Sequence, residues 1–474
     1  MPLNAGNHDP VQGKALSDAE EASETTPLLP PASVYSWQPL TKQELEAAAG
    51  SPEWRATRHY LVLAFWLTWV TMLAAACTIV VLSPRPVPTC LKWWQKSLFY
   101  RLQPELTGSE GNNAVSDHLL HLQSLGVGAL ILEGVFHKKA SLTNLSTPTE
   151  NLAALAQIQH LFMESKKAGL RVVLDLCKAT LLELEEAAWN SDRLSNYSSA
   201  EKHALRFWLE QGVAGFVICD TDEAYSEETL LEWRGVLEEF GHRGVKKIIV
   251  VKQTSDVLRP IRGSNNVTLV NMVLKSILPK SHHHLSADEV VHAVEAWLQM
   301  SPEEAWSGWS IGGKVSHELK RLLLVLMMTL PGSPALQHKD IINQTKSQKT
   351  EHSATVALLT TLSHSKAKEE ALLYGSFTFL PVNGSSNSSS NSSSSPAPVL
   401  AFLRSWGCVQ FLILLNFGSD SYTLDPAWAS SLPEKGVFVA STGMNHLGSM
   451  SLFSFNLQPR EAIVVKLFKA GSYS

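Results

Sequence analysis

From Tyr60 to Leu82 the chain reads YLVLAFWLTWVTMLAAACTIVVL, twenty-three positions without a charged residue. At about 1.5 Å of rise per residue such a run crosses the roughly 30 Å hydrocarbon core of a bilayer, so one transmembrane helix is predicted over 60–82. Fifty-nine mostly polar residues precede it, which is not how a cleavable signal peptide begins. Residues 1–59 are Pro-rich around DAEEASETTPLLPPAS and lack periodicity, the composition of a disordered cytoplasmic tail. A short neck, 83–96, follows the run.

Beyond the neck, short β-branched runs alternate with amphipathic stretches. SLFYRL precedes SDHLLHLQSLG, GALILEG precedes LAALAQIQHLFMESKKAG, LRVVLDL precedes SSAEKHALRFWLEQG, and AGFVICD precedes EETLLEWRGVLEEFG; KKIIVV, VTLVNMV, GWSIGG and PALQHK continue the series. Eight strands separated by helices predict an α/β fold, a parallel (β/α)₈ TIM-type barrel over 97–372. From 373 to 474 the runs SFTFL, VLAFLRSW, QFLILLNFG, GVFVAS, LFSFNL and AIVVKLF have no helices between them, which predicts a C-terminal antiparallel β-sandwich. The tract NGSSNSSSNSSSSPAP, inside its first hairpin, buries no apolar surface and reads as a flexible loop.

Basic residues flank both ends of the apolar run, Arg55 and Arg58 before it and Arg85, Lys92 and Lys96 after it, so charge does not orient it. Acceptor patterns do. Asn-x-Ser/Thr occurs at Asn144, Asn196, Asn266, Asn343, Asn383, Asn387 and Asn391, all after the run and, up to Asn343, in segments that read as loops or loop edges. A single-pass type II glycoprotein is predicted, its amino terminus in the cytoplasm. Within the helix, Ala64, Thr68, Thr71, Ala75 and Thr78 are spaced four, three, four and three, a face of small residues that another helix can approach closely. The helix carries no ionisable group of the kind that marks an ion or substrate route and cannot alone enclose a polar pathway, so its partners are membrane lipid and any multi-pass protein it borders.

The formal net charge of −5, with no basic cluster, excludes nucleic acid as a partner. Of the five cysteines, Cys77 lies in the membrane run, and Cys177, Cys219 and Cys408 lie in or at the ends of strand-like runs, where free thiols act as small buried hydrophobes. No spacing calls for a metal or a cofactor, and the run His282–His284 reads as surface loop. Cys90, in LSPRPVPTCLKWW, alone has an exposed, Pro-flanked setting and is the natural candidate for a bond to another chain. Trp208, Trp233 and Trp297 read as packing on helical faces, whereas Trp93 and Trp94 fit either a membrane interface or the start of the barrel. The segment Glu24 to Leu29, ETTPLL, resembles adaptor-read endocytic signals.

The segments WWQKSLFYRL, LLHLQSLGVGALIL, AGLRVVLDL, FWLEQGVAGFVICD, LLLVLMMTLPGSPAL and LRSWGCVQFLILLNFG resemble, in order, the α-amylase-like family. With a membrane helix in front, the chain is similar to the heavy chains of heteromeric amino-acid transporters, of the four-F-two cell-surface antigen type. Only about forty residues separate VVLDL from GFVIC, so the barrel lacks the extra domain that amylases carry after strand three. The resemblance places the family's catalytic arginine at Val217, its nucleophile at Cys219 and its general acid near Lys252. It keeps Asp175 but puts Ala179 and Thr180 where Asn-His should follow, and the seventh-strand His-Asp falls in WSIGG. Asp220 is one residue late, and a one-residue shift on a strand turns a side chain to the other face. Glycoside hydrolysis needs two placed carboxyl groups, so no catalysis is expected. The resemblance implies instead an ancillary plasma-membrane subunit joined through Cys90 to a multi-pass light chain, and an association with integrins; an adhesion or signalling receptor acting without a transporter is the alternative reading, and a membrane-bound glycosidase a distant third.

Overall fold

The computed structural model describes residues 41–82, 88, 90–103, 112–135, 152–177, 191–222, 225–241, 245–254, 263, 267–278, 287–298, 305–313, 316–337, 349–382, 398–424, 432–443, 448–452 and 456–468. Asn144, Asn266, Asn343, Asn383, Asn387, Asn391, ETTPLL, the histidine run and the side chain of Trp297 lie outside them. The chain forms two compact units, Met1–Ser83 and Pro84–Ser474.

The first unit contains α1 (Lys42–Ala49) and α2 (Pro52–Leu82). The tail, expected to be disordered to residue 59, is therefore helical over much of 42–59. The reason is local: the Thr41 backbone N–H and hydroxyl both donate to the Glu44 carboxylate, at 3.0 and 2.8 Å, satisfying the helix start in the manner of a capping box. Pro52 at the first turn then pre-sets φ for α2. The predicted apolar run occupies the carboxyl-terminal part of α2, and Pro52–Ile79 is long and apolar enough to cross a membrane.

The second unit opens with α3 (Trp93–Lys96) and runs β1 (Leu98–Leu102), α4 (Asn112–Ser124), β2 (Val127–Leu132), α5 (Leu152–Lys167), β3 (Arg171–Asp175), α6 (Ser191–Glu210), β4 (Gly215–Cys219) and α7 (Glu227–Gly241). It continues through β5 (Ile248–Gln253), β6 (Met272–Ser276), α8 (Ala287–Leu298), β7 (Trp306–Ser310), α9 (His317–Thr329), β8 (Ser333–Gln337), α10 (Lys349–Lys368) and α11 (Glu370–Leu373). Strands β1 to β8 close into the expected barrel in sequence order, each parallel to its neighbours. Parallel strands are covered on both faces, which is why they read as near-continuous apolar runs. Alternate residues point inward: Phe99, Ile131, Val173, Val217, Val250 and Leu274 form the barrel interior together with Trp94. Trp94 is 2% exposed, and Trp93 donates its indole N–H to the Lys246 carbonyl at 2.8 Å while the Arg171 guanidinium lies 5.0 Å from its ring centre. The tryptophan pair thus packs at the start of the barrel. Trp208 and Trp233 are buried between helices and strands, as expected. Asn196 corrects a loop reading, because it falls inside α6; the amphipathic register of SAEKHALRFWLE extends backward through a polar first half.

The carboxyl-terminal strands are β9 (Ser376–Leu380), β10 (Val399–Trp406), β11 (Val409–Asn416), β12 (Tyr422–Thr423), β13 (Lys435–Ser441), β14 (Ser449–Ser451), β15 (Asn456–Leu457) and β16 (Ala462–Phe468). Six form one antiparallel sheet in the order β14-β13-β16-β11-β10-β9, and β12 pairs with β15. Leu400, Phe402, Phe411, Ile413 and Val464 on one face join the core of the barrel helices. Ala401, Leu412, Leu414 and Val465 on the other face pack on Leu424 and Leu457 beside the small ribbon. Cys408 also departs from its buried-strand reading. Trp406 pairs with Val409, so Gly407 and Cys408 form a two-residue hairpin turn, Gly407 takes φ of +56°, and the thiol is exposed.

Candidate functional site

Three places carry the predicted site residues: the α2 surface, the neck thiol and the carboxyl-terminal mouth of the barrel. On α2, each hydroxyl of the small-residue face turns back onto its own helix. Thr68 donates to the carbonyls of Ala64 and Phe65, Thr71 to that of Thr68, and Thr78 to those of Ala74 and Ala75, at 2.8 to 2.9 Å. Their hydrogens are used within the helix, so the stripe presents methyls and small side chains and asks no hydrogen bond of a neighbour. Cys90 is a free, exposed thiol. It is not the only one, since Cys408 and, on α2, Cys77 share both properties.

The mouth is built by residues that continue the inward alternation of the strands. Arg101 at the end of β1 pairs with Glu133 just after β2. Lys252 on β5 stands 3.8 Å from the same carboxylate. Asp175, last in β3, accepts the Cys177 backbone N–H at 2.8 Å. Burial raises its pKa from 3.8 to about 6, while Lys252, the Cys177 N–H and Arg101 act the other way and Glu133 adds to the rise. Cys177 and Cys219 are joined by a disulfide, which corrects their reading as free thiols. The cause is register: Val173 pairs with Gly215 and Asp175 with Val217, so two residues further on Cys177 faces Cys219, with Cα atoms 4.9 Å apart. Asp220, the residue after, is buried and committed elsewhere, both its oxygens accepting the Thr254 backbone N–H at 3.0 Å.

The sequence singled out Asp175, Cys219, Asp220 and Lys252, and the structure brings all but Asp220 to one inner ring. Arg101 and Glu133 were missed. The signal was available: each sits an even number of residues beyond an inward-facing position of its strand, Phe99 and Ile131. Two cations and two carboxylates thus meet beside a disulfide. Cys177, Cys219 and Asp222 also lie close together, their potential ligand atoms within 4.8 Å of one another. The two sulfurs are spent in the bond, however, and Asp222 accepts the Cys219 N–H at 2.8 Å, so this trio offers no ready metal site.

Residues 33–100 match the family described as Solute carrier family 3 member 2 N-terminus. Over 487 residues the chain is 28% identical to the amino acid transporter heavy chain SLC3A2 of Oryctolagus cuniculus, covering 90% of this chain and 87% of that one. It is 19% identical to the heavy chain SLC3A1 of Rattus norvegicus over 598 residues, 90% of this chain and 85% of that one. Among solved structures, trehalose-6-phosphate hydrolase of Bacillus licheniformis superposes with a TM-score of 0.57 at 11% identity, over 80% of this chain and 100% of that chain. The α-amylase of Geobacillus thermoleovorans gives 0.57 at 12%, over 80% and 99%. At such identity the two hydrolases share the fold.

Proposed function

We propose that this chain, related along 90% of its length to SLC3A2-type amino acid transporter heavy chains, is the ancillary heavy subunit of a heteromeric amino-acid transporter. It binds a multi-pass light chain, stabilises it and carries it to the plasma membrane, with its own amino terminus in the cytoplasm and the barrel outside. The observation that carries this reading is one membrane-length helix followed, eight residues past its end at Leu82, by the exposed free thiol of Cys90. The α2 stripe of Ala64, Thr68, Thr71, Ala75 and Thr78 makes the helix contact, and Cys90 closes a disulfide over it. The chain has neither a pore nor a glycosidase site of its own: the position that the amylase resemblance gives to the nucleophile, Cys219, is locked in a disulfide, and Lys252 stands where an acid would be needed.

The test is purification from membranes of expressing cells without reductant, with identification of any covalently attached chain. A light chain that is attached in the native protein and absent from Cys90→Ser is the expected result. A conjugate that survives Cys90→Ser and vanishes with Cys408→Ser would move the bond to the β10–β11 turn and remove Cys90 from the mechanism.

A further inference from the structure

A cavity of about 150 Å³ lies where α10 packs on α9 and on the start of the barrel. Its polar lining is Lys96, Ser124, Thr360, Ser363, His364 and Lys366; no carboxylate is among the described residues around it. Lys366 is 7% exposed, and its ammonium donates to the carbonyls of Met328 and Leu330, at 3.0 and 3.1 Å, at the end of α9. An ammonium has three donors, so one remains. Arg404, fully buried on β10, donates to the neighbouring carbonyls of Thr329 and Leu372 at 3.0 Å each, and its Nε has no partner. Two buried cations therefore share one helix end. Among the described residues no carboxylate pairs with either, and the counter-charge at hand is the helix terminus, equivalent to about half an elementary charge.

The remaining groups around the cavity sort by what they have left to offer. The Ser124 hydroxyl is used on the His121 carbonyl and the Thr360 hydroxyl on the Val356 carbonyl. The Ser363 hydroxyl is 8% exposed and donates no hydrogen bond to any of the described residues. Lys96, just before β1, and His364, on α10 itself, are the other titratable groups on the lining. Desolvation, with Arg404 second, lowers Lys366 from 10.5 to about 7. Its third donor is thus present only when a proton is taken up.

We propose that this cavity binds a small inorganic monoanion of the chloride class, held between the Lys366 ammonium and the Ser363 hydroxyl. The anion supplies the charge that the buried Lys366–Arg404 pair lacks. It thereby tightens the seam that fastens the carboxyl-terminal sheet to the barrel. Binding and protonation of Lys366 are one event, so affinity falls as pH rises through 7.

Thermal unfolding of the full chain in detergent, in sodium chloride against sodium gluconate at equal ionic strength, separates site binding from general screening. Chloride is expected to raise the midpoint. Its apparent affinity should be about tenfold weaker at pH 8 than at pH 6, because the protonated fraction before binding drops from about nine-tenths to about one-tenth. Ser363→Ala should weaken the effect and Lys366→Met abolish it. Because Lys366→Met could fail to fold, crystals of the native chain grown in bromide give a second reading: an anomalous peak between Lys366 and Ser363. No chloride-specific shift, equal affinity at both pH values, an unchanged response in Ser363→Ala, or no bromide in the cavity would each overturn the proposal.

Discussion

Replacing both Cys177 and Cys219 by alanine opens a loop of known length. The bond joins residues 42 apart and encloses all of α6. In the chain-entropy account, a closed loop of about this size removes roughly 13 cal/mol/K from the unfolded ensemble, or about 4 kcal/mol at 25 °C. Two terms change that figure. Cys219 is 2% exposed, so alanine leaves a small void in place of a sulfur, which adds to the loss, while residual structure in the unfolded chain subtracts from it. A net loss of about 2–4 kcal/mol is expected. Denaturant unfolding of the full-length protein in detergent, followed by tryptophan fluorescence, reads it, and wild type under a strong reductant should move to the same midpoint as the double variant. Alkylation of the unreduced, denatured chain should label Cys77, Cys90 and Cys408 where these are not joined to another chain, and should leave Cys177 and Cys219 untouched. Labelling of both strand cysteines, or a loss under about 0.5 kcal/mol, would refute the register argument that joins β3 to β4.

Other expectations follow from the same geometry. Asp175 titrates near 6 when folded and 3.8 otherwise, so the folded chain holds the proton longer, stability falls between about pH 4 and pH 6, and the full penalty, up to about 3 kcal/mol, is present above that. Asp175→Asn should therefore be more stable than wild type at pH 7.5, with the gap closing toward pH 4; a gap independent of pH in a melting series would contradict the assignment. The purified protein should show no turnover of α-glucosides, and activity abolished by Asp175→Asn or Asp220→Asn would reverse that view. Enzymatic removal of N-linked sugars should speed the migration of cell-derived protein; unchanged mobility would count against both the glycans at Asn144, Asn196, Asn266, Asn343, Asn383, Asn387 and Asn391 and the orientation.

Eight strands could be counted in the sequence because strands buried on both faces leave uninterrupted apolar runs between amphipathic helices. Register was not legible. Nothing local to RVVLDLC or GFVIC says that position 177 faces position 219, since parallel pairing is set by the whole closed barrel. Cys408 is a different kind of miss: the sequence separates VLAFLRSW from QFLILLNFG but leaves the cysteine with the buried run, whereas Gly407, adopting φ of +56°, places it in the two-residue turn between them. The helix at 42–49 had a signature as well, Thr41 three residues before Glu44, obscured by the polar composition around it. The mouth's charged ring spans strands β1, β2, β3 and β5, so Arg101 and Glu133 acquire meaning only when those ends meet.

The same dependence on assembly governs how the carboxyl-terminal strands should be regarded. The composition changes sharply at residue 373, from alternating helices and strands to strands alone, which invites reading 373–474 as a separable module. The contacts argue otherwise. Arg404 of β10 caps carbonyls on α9 and α11, Lys466 of β16 pairs with Glu369 at 2.7 Å, and the Trp406 indole donates to Glu370 at 2.9 Å. Phe402, Phe411 and Ile413 share one core with Leu322 and Leu326 of α9. Cutting the chain at 373 would expose that apolar face to water and remove the Arg404 donor from the Thr329 and Leu372 carbonyls. Barrel and sheet are therefore one folding unit. What reads as a domain boundary is a change of secondary structure within a continuous core, so a substitution in β10 acts on the barrel as directly as one in α9.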